Sequence, residues 1–238
     1  MLFRSKFVQR SESEWPLKRT KWTKFYLDPV QLSLGKKAPA GNAKVSYKGF
    51  SEGVTFMLPP QAEDIEITGP SALKLFLSSS TRDADIFAVL RVFTPDLKEV
   101  VFQGALDPHT PVGQGWLRAS HRALDPKLSK PYRPYHPHDK VEPLKPGQVV
   151  ELDVEILPTS IVVPAGYRMA LTVRGKDYEY PGPAGVLSNM KYPMTGCGPF
   201  THTDPTDRPA RVFDGVNTLH SGPAKASYLM LPIIPKRK

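Results

Sequence analysis

Cys197 lies between glycines in Thr195-Gly196-Cys197-Gly198, a few residues before His202. A loop thiol becomes a nucleophile only where an imidazole or a cationic neighbour lowers its pKa. Without that help it is an inert side chain, and this is the plainer reading here. The histidines are His109, His121, His136, His138, His202 and His220. His136-Pro137-His138-Asp139 and His202-Thr203-Asp204 bring imidazoles and carboxylates close in sequence, as zinc or iron ligands require. Pro137 stiffens the first pair, and neither H-E-x-x-H nor paired cysteines occur. Hydrogen bonds from loop histidines to backbone are therefore expected, and neither a metal nor another cofactor is.

A serine nucleophile of the α/β-hydrolase type needs G-x-S-x-G at a sharp strand-to-helix turn. Ser71 follows Gly69-Pro70, but Leu73 stands where the second glycine belongs. The acidic residues Asp83 and Asp85, and Glu151, Asp153 and Glu155, alternate as strand residues do. The second set reads as one solvated strand face rather than as paired carboxylates across a cleft. No Gly-rich phosphate loop is present. Trp15, Trp22, Trp116, Tyr132, Tyr135, Tyr178 and Tyr180 could stack on sugar, or could be core or a covered interface.

The elements that must position these groups are strands. Val149 to Ile156 alternates Val150, Leu152, Val154 and Ile156 with Glu151, Asp153 and Glu155, which predicts a half-buried strand. Tyr167 to Val173 repeats the pattern after the Ala165-Gly166 turn. Ala84 to Phe93 is largely apolar on both faces, so it is expected to be a central strand with a covered outer face. Further strands are predicted at Trp22–Leu27, Gln31–Leu34, near Val45, Val54–Leu58, Glu63–Ile67, Ala72–Leu77, Glu99–Gln103, Gly115–Arg122 and Ala226–Ile234. Pro59-Pro60, Gly69-Pro70 and Thr94-Pro95-Asp96 read as turns. No segment holds helical periodicity over three turns. The chain has 26 prolines in 238 residues, which suits short strands and rigid turns. Long, non-hairpin connections favour a jelly-roll β-sandwich over an up-and-down barrel. Residues 1–20 form a polar N-terminal segment. Residues 21–238 form a single domain with a long loop excursion at 175–223.

The net charge of +9 is scattered. Lys18, Arg19, Lys21 and Lys24 cluster near the start, and Lys236, Arg237 and Lys238 at the end. No nucleic-acid motif accompanies them, so a solvated basic surface is expected, not a nucleic-acid partner. One cysteine excludes an intrachain disulfide and is compatible with a reducing compartment. Met1 to Arg10 lack the apolar core of a signal peptide, and no apolar run approaches a membrane helix. A cytoplasmic protein without membrane contact is expected.

Several stretches resemble the C-terminal domain of the CocE/NonD hydrolase family, which is related to X-Pro dipeptidyl-peptidases. The most specific are Gly104-Ala-Leu-Asp-Pro-His-Thr-Pro-Val112, Gly115-Trp-Leu-Arg-Ala-Ser-His-Arg122 and Ser129-Lys-Pro-Tyr-Arg-Pro-Tyr-His136. Pro146-Gly147, Glu151-Leu-Asp-Val-Glu-Ile156, Pro158-Thr-Ser160, Ala165-Gly-Tyr-Arg168, Thr201-His-Thr-Asp-Pro205 and Ser227 to Pro235 also fit. So do Glu14-Trp-Pro-Leu17 and Thr23 to Asp28, which look like the segment after the family's catalytic histidine. The resemblance covers essentially the whole chain.

The resemblance implies a galactose-binding-like jelly roll. In this family it packs on an α/β-hydrolase domain and a helical cap, and helps wall the substrate entrance. Family members are serine hydrolases of esters, amides or X-Pro peptides. Their nucleophile, acid and histidine belong to the hydrolase domain, so no catalytic residue carries over to this chain, which is expected to be inactive alone. The expected partner is that α/β-hydrolase catalytic domain; a homo-oligomer is left open. The candidate interface or substrate-wall residues are Trp116, Arg118, His121, Tyr135, His136 and His202. The alternative is a carbohydrate-binding jelly-roll module. A third reading is an independent enzyme built on Cys197 or a histidine metal site.

Overall fold

Alternating apolar side chains give strands one buried face, and two such faces must close on each other. The computed structural model describes residues 2–3, 7–187, 191–199 and 201–236. Residues 188–190 and Phe200 of the expected excursion, and Arg237 and Lys238 of the terminal basic cluster, lie outside the described residues. So do Met1 and residues 4–6 of the leader reading.

β1 (Leu2–Phe3) and β2 (Phe7–Val8) pair with each other. There follow β3 (Lys21–Asp28), β4 (Ser33–Gly35), β5 (Ala43–Lys48), β6 (Val54–Met57), β7 (Ile65–Ser79) and β8 (Asp85–Phe93). β9 (Glu99–Val100), β10 (Gly113–Arg118), β11 (Val150–Val163), β12 (Arg168–Arg174), β13 (Val216–Ser221) and β14 (Tyr228–Ile234) complete the strands. A 3-10 turn, Ala119–His121, follows β10, and a one-turn helix, α1 (Ala210–Phe213), precedes β13.

The strands hydrogen-bond in the order β10-β8-β12-β6-β4-β3-β14-β7-β13-β5, with β11 on the other edge of β7 and β9 beside β8. The path folds back on itself as a sandwich. Leu73, Leu75 and Leu77 of β7 and Leu152, Val154 and Ile156 of β11 share one core with Ile86, Ala88 and Leu90 of β8 and Met169, Leu171 and Val173 of β12. β10 passes so close to β11 that a Cβ at Gly115 would collide with the Glu155 carbonyl. The fold is all-β, as expected.

Two expectations are corrected. Gly69-Pro70 is not a turn: β7 runs through it, with Gly69 at φ +143°, a conformation that favours glycine. β11 shifts register between Ile156 and Thr159, and β14 between Met230 and Ile233. These irregularities lie alongside Gly69-Pro70, so three neighbouring strands bend together and the ladder survives the proline. The excursion is also shorter than expected, because it contains β13.

Candidate functional site

β8 carries its second apolar face away from the core. Phe87 and Val89 point there and are buried. His202 and Arg208 of the chain's own loop supply cover for Phe87. The His202 ring meets Phe87 edge-on at 5.4 Å, and the Arg208 guanidinium lies 5.0 Å from the Phe87 and Phe50 rings.

A charged cluster holds this cover down. Asp85, at the start of β8, accepts from Arg118 Nε (2.8 Å) and from Arg208 Nε (2.8 Å). Arg118 also grips Asp207 in bidentate fashion at 2.8 and 2.9 Å. Hydrogen bonds to Asp85 and then Asp207 push Arg118 above its ordinary value. Arg208 also donates from each terminal nitrogen, to the carbonyls of His202 and Gly175, both at 2.6 Å. Asp83 accepts from the backbone of Ala84 and Ser120, both at 2.9 Å.

Two further carboxylates shape the loop. Asp177 accepts from the His202 backbone (2.6 Å) and from His202 Nδ1 (2.8 Å). Asp107 accepts from the backbone of Gly196 (2.6 Å), Gly198 (2.9 Å) and His109 (2.7 Å). The result is a cavity of about 570 Å³ whose walls include Phe50, Met194, Cys197, His202 and Arg208.

The cavity does not activate Cys197. Burial, followed by the carboxylates of Asp177 and Asp107, pushes its thiol up to about 11. Alkylation of Cys197 by iodoacetamide at neutral pH is therefore expected to be at least about 100-fold slower than that of an unperturbed thiol of pKa near 8.5. Mass spectrometry across a pH series measures this. Rapid modification at pH 7 contradicts the assignment of an inert thiol.

The expected site residues fall into two groups. Trp116 stands on the outer face of β10, 41% exposed, with its ring 6.4 Å from that of His202. Arg118, two residues on, connects to the His202 carbonyl through Asp85 and Arg208. His121 belongs to a second group with His136 and His138, whose rings lie 5.3 Å (His121 to His138) and 6.0 Å (His136 to His138) apart. Tyr135 is exposed beside them in sequence, its backbone held by Ser129 Oγ (3.0 Å). Trp22 and Tyr132 stack on each other at 4.0 Å, so one face of each is spent inside the molecule. Sequence reasoning missed Asp85, Asp107, Asp177 and Arg208. The available signal was an aspartate opening a strand that is otherwise largely apolar on both faces.

The molecule is thus a β-sandwich whose buried charged groups fasten its own loops. A family model described as the X-Pro dipeptidyl-peptidase C-terminal non-catalytic domain matches residues 2–230, and the chain belongs to this family. It is thus a non-catalytic C-terminal domain of the CocE/NonD hydrolase type. A CocE/NonD family hydrolase from Staphylococcus aureus superposes with a TM-score of 0.80 at 25% identity, covering 94% of this chain and 39% of its own. The cocaine esterase of a Rhodococcus strain is 20% identical over 95% of this chain and 40% of its own length. A putative serine esterase of Mycobacterium tuberculosis is 28% identical over 53% of this chain and 19% of its own length. This chain therefore spans well under half of each of these relatives. Among the described residues no helix is long and apolar enough to cross a membrane.

Proposed function

We propose that this domain packs against an α/β-hydrolase catalytic domain of the serine esterase or X-Pro peptidase type and forms part of the wall of its substrate entrance. The observation that carries the reading is Trp116. It is a large aromatic left exposed on β10 beside His202, at the edge of the loop layer bordering an apolar-walled cavity. Exposed aromatics next to rigid, well-packed ground are what interfaces use as anchors. Arg118, His121, Tyr135 and His136 extend the same reading along β10 and the 123–148 loop. A cytoplasmic setting belongs to the same proposal, and the single cysteine is compatible with it.

The test is a chimera in which this chain replaces the corresponding domain of the staphylococcal relative. The chimera is expected to hydrolyse activated esters. Trp116→Ala and His202→Ala are each expected to lower kcat/KM by about tenfold or more, the loss of one anchoring contact. An active chimera whose kcat/KM ignores both substitutions contradicts the proposal.

A further inference from the structure

His121 and His138 approach through like atoms. Their Nδ1 nitrogens are 3.3 Å apart. As a hydrogen bond this contact needs one ring to donate and the other to accept. The same separation is the nitrogen–nitrogen edge of a tetrahedral site with metal–nitrogen bonds of about 2.0–2.1 Å, where both rings offer lone pairs.

The two imidazoles are presented by well-anchored backbone. His121 ends the 3-10 turn, whose Ala119 N–H donates to the Ala84 carbonyl (2.8 Å) and whose Ser120 N–H donates to Asp83 (2.9 Å). On the other side, the His136 ring sits between two carbonyl oxygens, to one of which a neutral imidazole can donate. Nδ1 lies 3.1 Å from the Ala123 carbonyl oxygen and Nε2 lies 2.8 Å from that of Asp153. It cannot ligate in that position, but it fixes the segment that carries its neighbour. The Glu142 N–H then closes the loop onto the Ser120 carbonyl (2.7 Å). Between these anchors His138 adopts φ +55°, a sparsely populated conformation for a residue with a side chain, which persists only where its surroundings enforce it.

We propose that His121 and His138 form a two-histidine site for a borderline transition-metal ion of the zinc or copper class. Nδ1 of each ring supplies a ligand, and water completes the coordination. Imidazole donors select these ions over magnesium or calcium, which take oxygen ligands. A bound ion would staple the turn after β10 to the 136–139 loop.

The experiment is calorimetric titration of the whole chain with zinc chloride, paired with copper(II) paramagnetic resonance. At pH 7.5 one zinc ion per chain is expected, with affinity at least about tenfold weaker in either His121→Ala or His138→Ala. The copper spectrum of the unmodified chain is expected to show coupling to two nitrogens, a readout that needs no variant to fold. Zinc affinity unchanged in both variants overturns the site, as does a copper spectrum lacking nitrogen coupling.

Discussion

Asp85→Ala is expected to lower the stability of the domain by about 3–5 kcal/mol, the cost of stranding buried charge. Asp85 is the shared acceptor of Arg118 and Arg208, and the Arg208 side chain is only 5% exposed. Without Asp85, Arg208 keeps its two carbonyl partners but loses its counter-charge between the Phe50 and Phe87 rings. In a protein of this size each kcal/mol is worth about 2–4 °C, so the melting temperature should fall by roughly 10 °C. Asp85→Asn keeps an acceptor oxygen and should fall by less. Because the cluster fastens the 202–208 segment to β8, that segment should also become open to limited proteolysis before the sandwich does. A melting temperature within 2 °C of the unmodified protein, measured calorimetrically, would mean that the cluster is not what holds the segment down.

Phe56→Ala should be as damaging, for a different reason. Phe56 on β6 is fully buried and lies opposite Leu171 of β12. Truncating a buried phenylalanine costs about 3–5 kcal/mol, through lost transfer energy and the cavity left behind. Trp116→Ala removes a larger ring, yet Trp116 is 41% exposed, and the stability change should stay below about 1 kcal/mol. Urea unfolding of the two variants separates the roles. A large loss in Trp116→Ala would make that tryptophan part of the sandwich and remove it as an interface anchor.

The sandwich was legible in the sequence wherever one face was uniformly apolar. Val150 to Ile156 and Met169 to Val173 alternate cleanly and form strands that face each other across the core. β13 was not legible, because two of its inward residues, Asn217 and Ser221, are polar and buried, so hydrophobic alternation cannot mark it. Gly69-Pro70 misled for the opposite reason. Its turn chemistry is real locally, but the ladders to β11 and β14 carry the strand through it. The doubly apolar β8 announced a covered outer face without saying what covers it. The covering contacts, Phe87 with His202 and Asp85 with Arg208, join residues more than a hundred positions apart. The aspartates that organise the loop layer look like ordinary solvated carboxylates until those contacts close. The inert character of Cys197 was readable from its lack of a motif, although its cause, burial beside Asp177 and Asp107, was not.

As a non-catalytic C-terminal domain, the chain is expected to carry no hydrolase chemistry of its own. The most direct measurement is labelling of the purified chain with a fluorophosphonate, alongside assays on p-nitrophenyl esters and an X-Pro p-nitroanilide. No stoichiometric label and no turnover above buffer are expected. Turnover that disappears as one label per chain is incorporated would contradict that expectation.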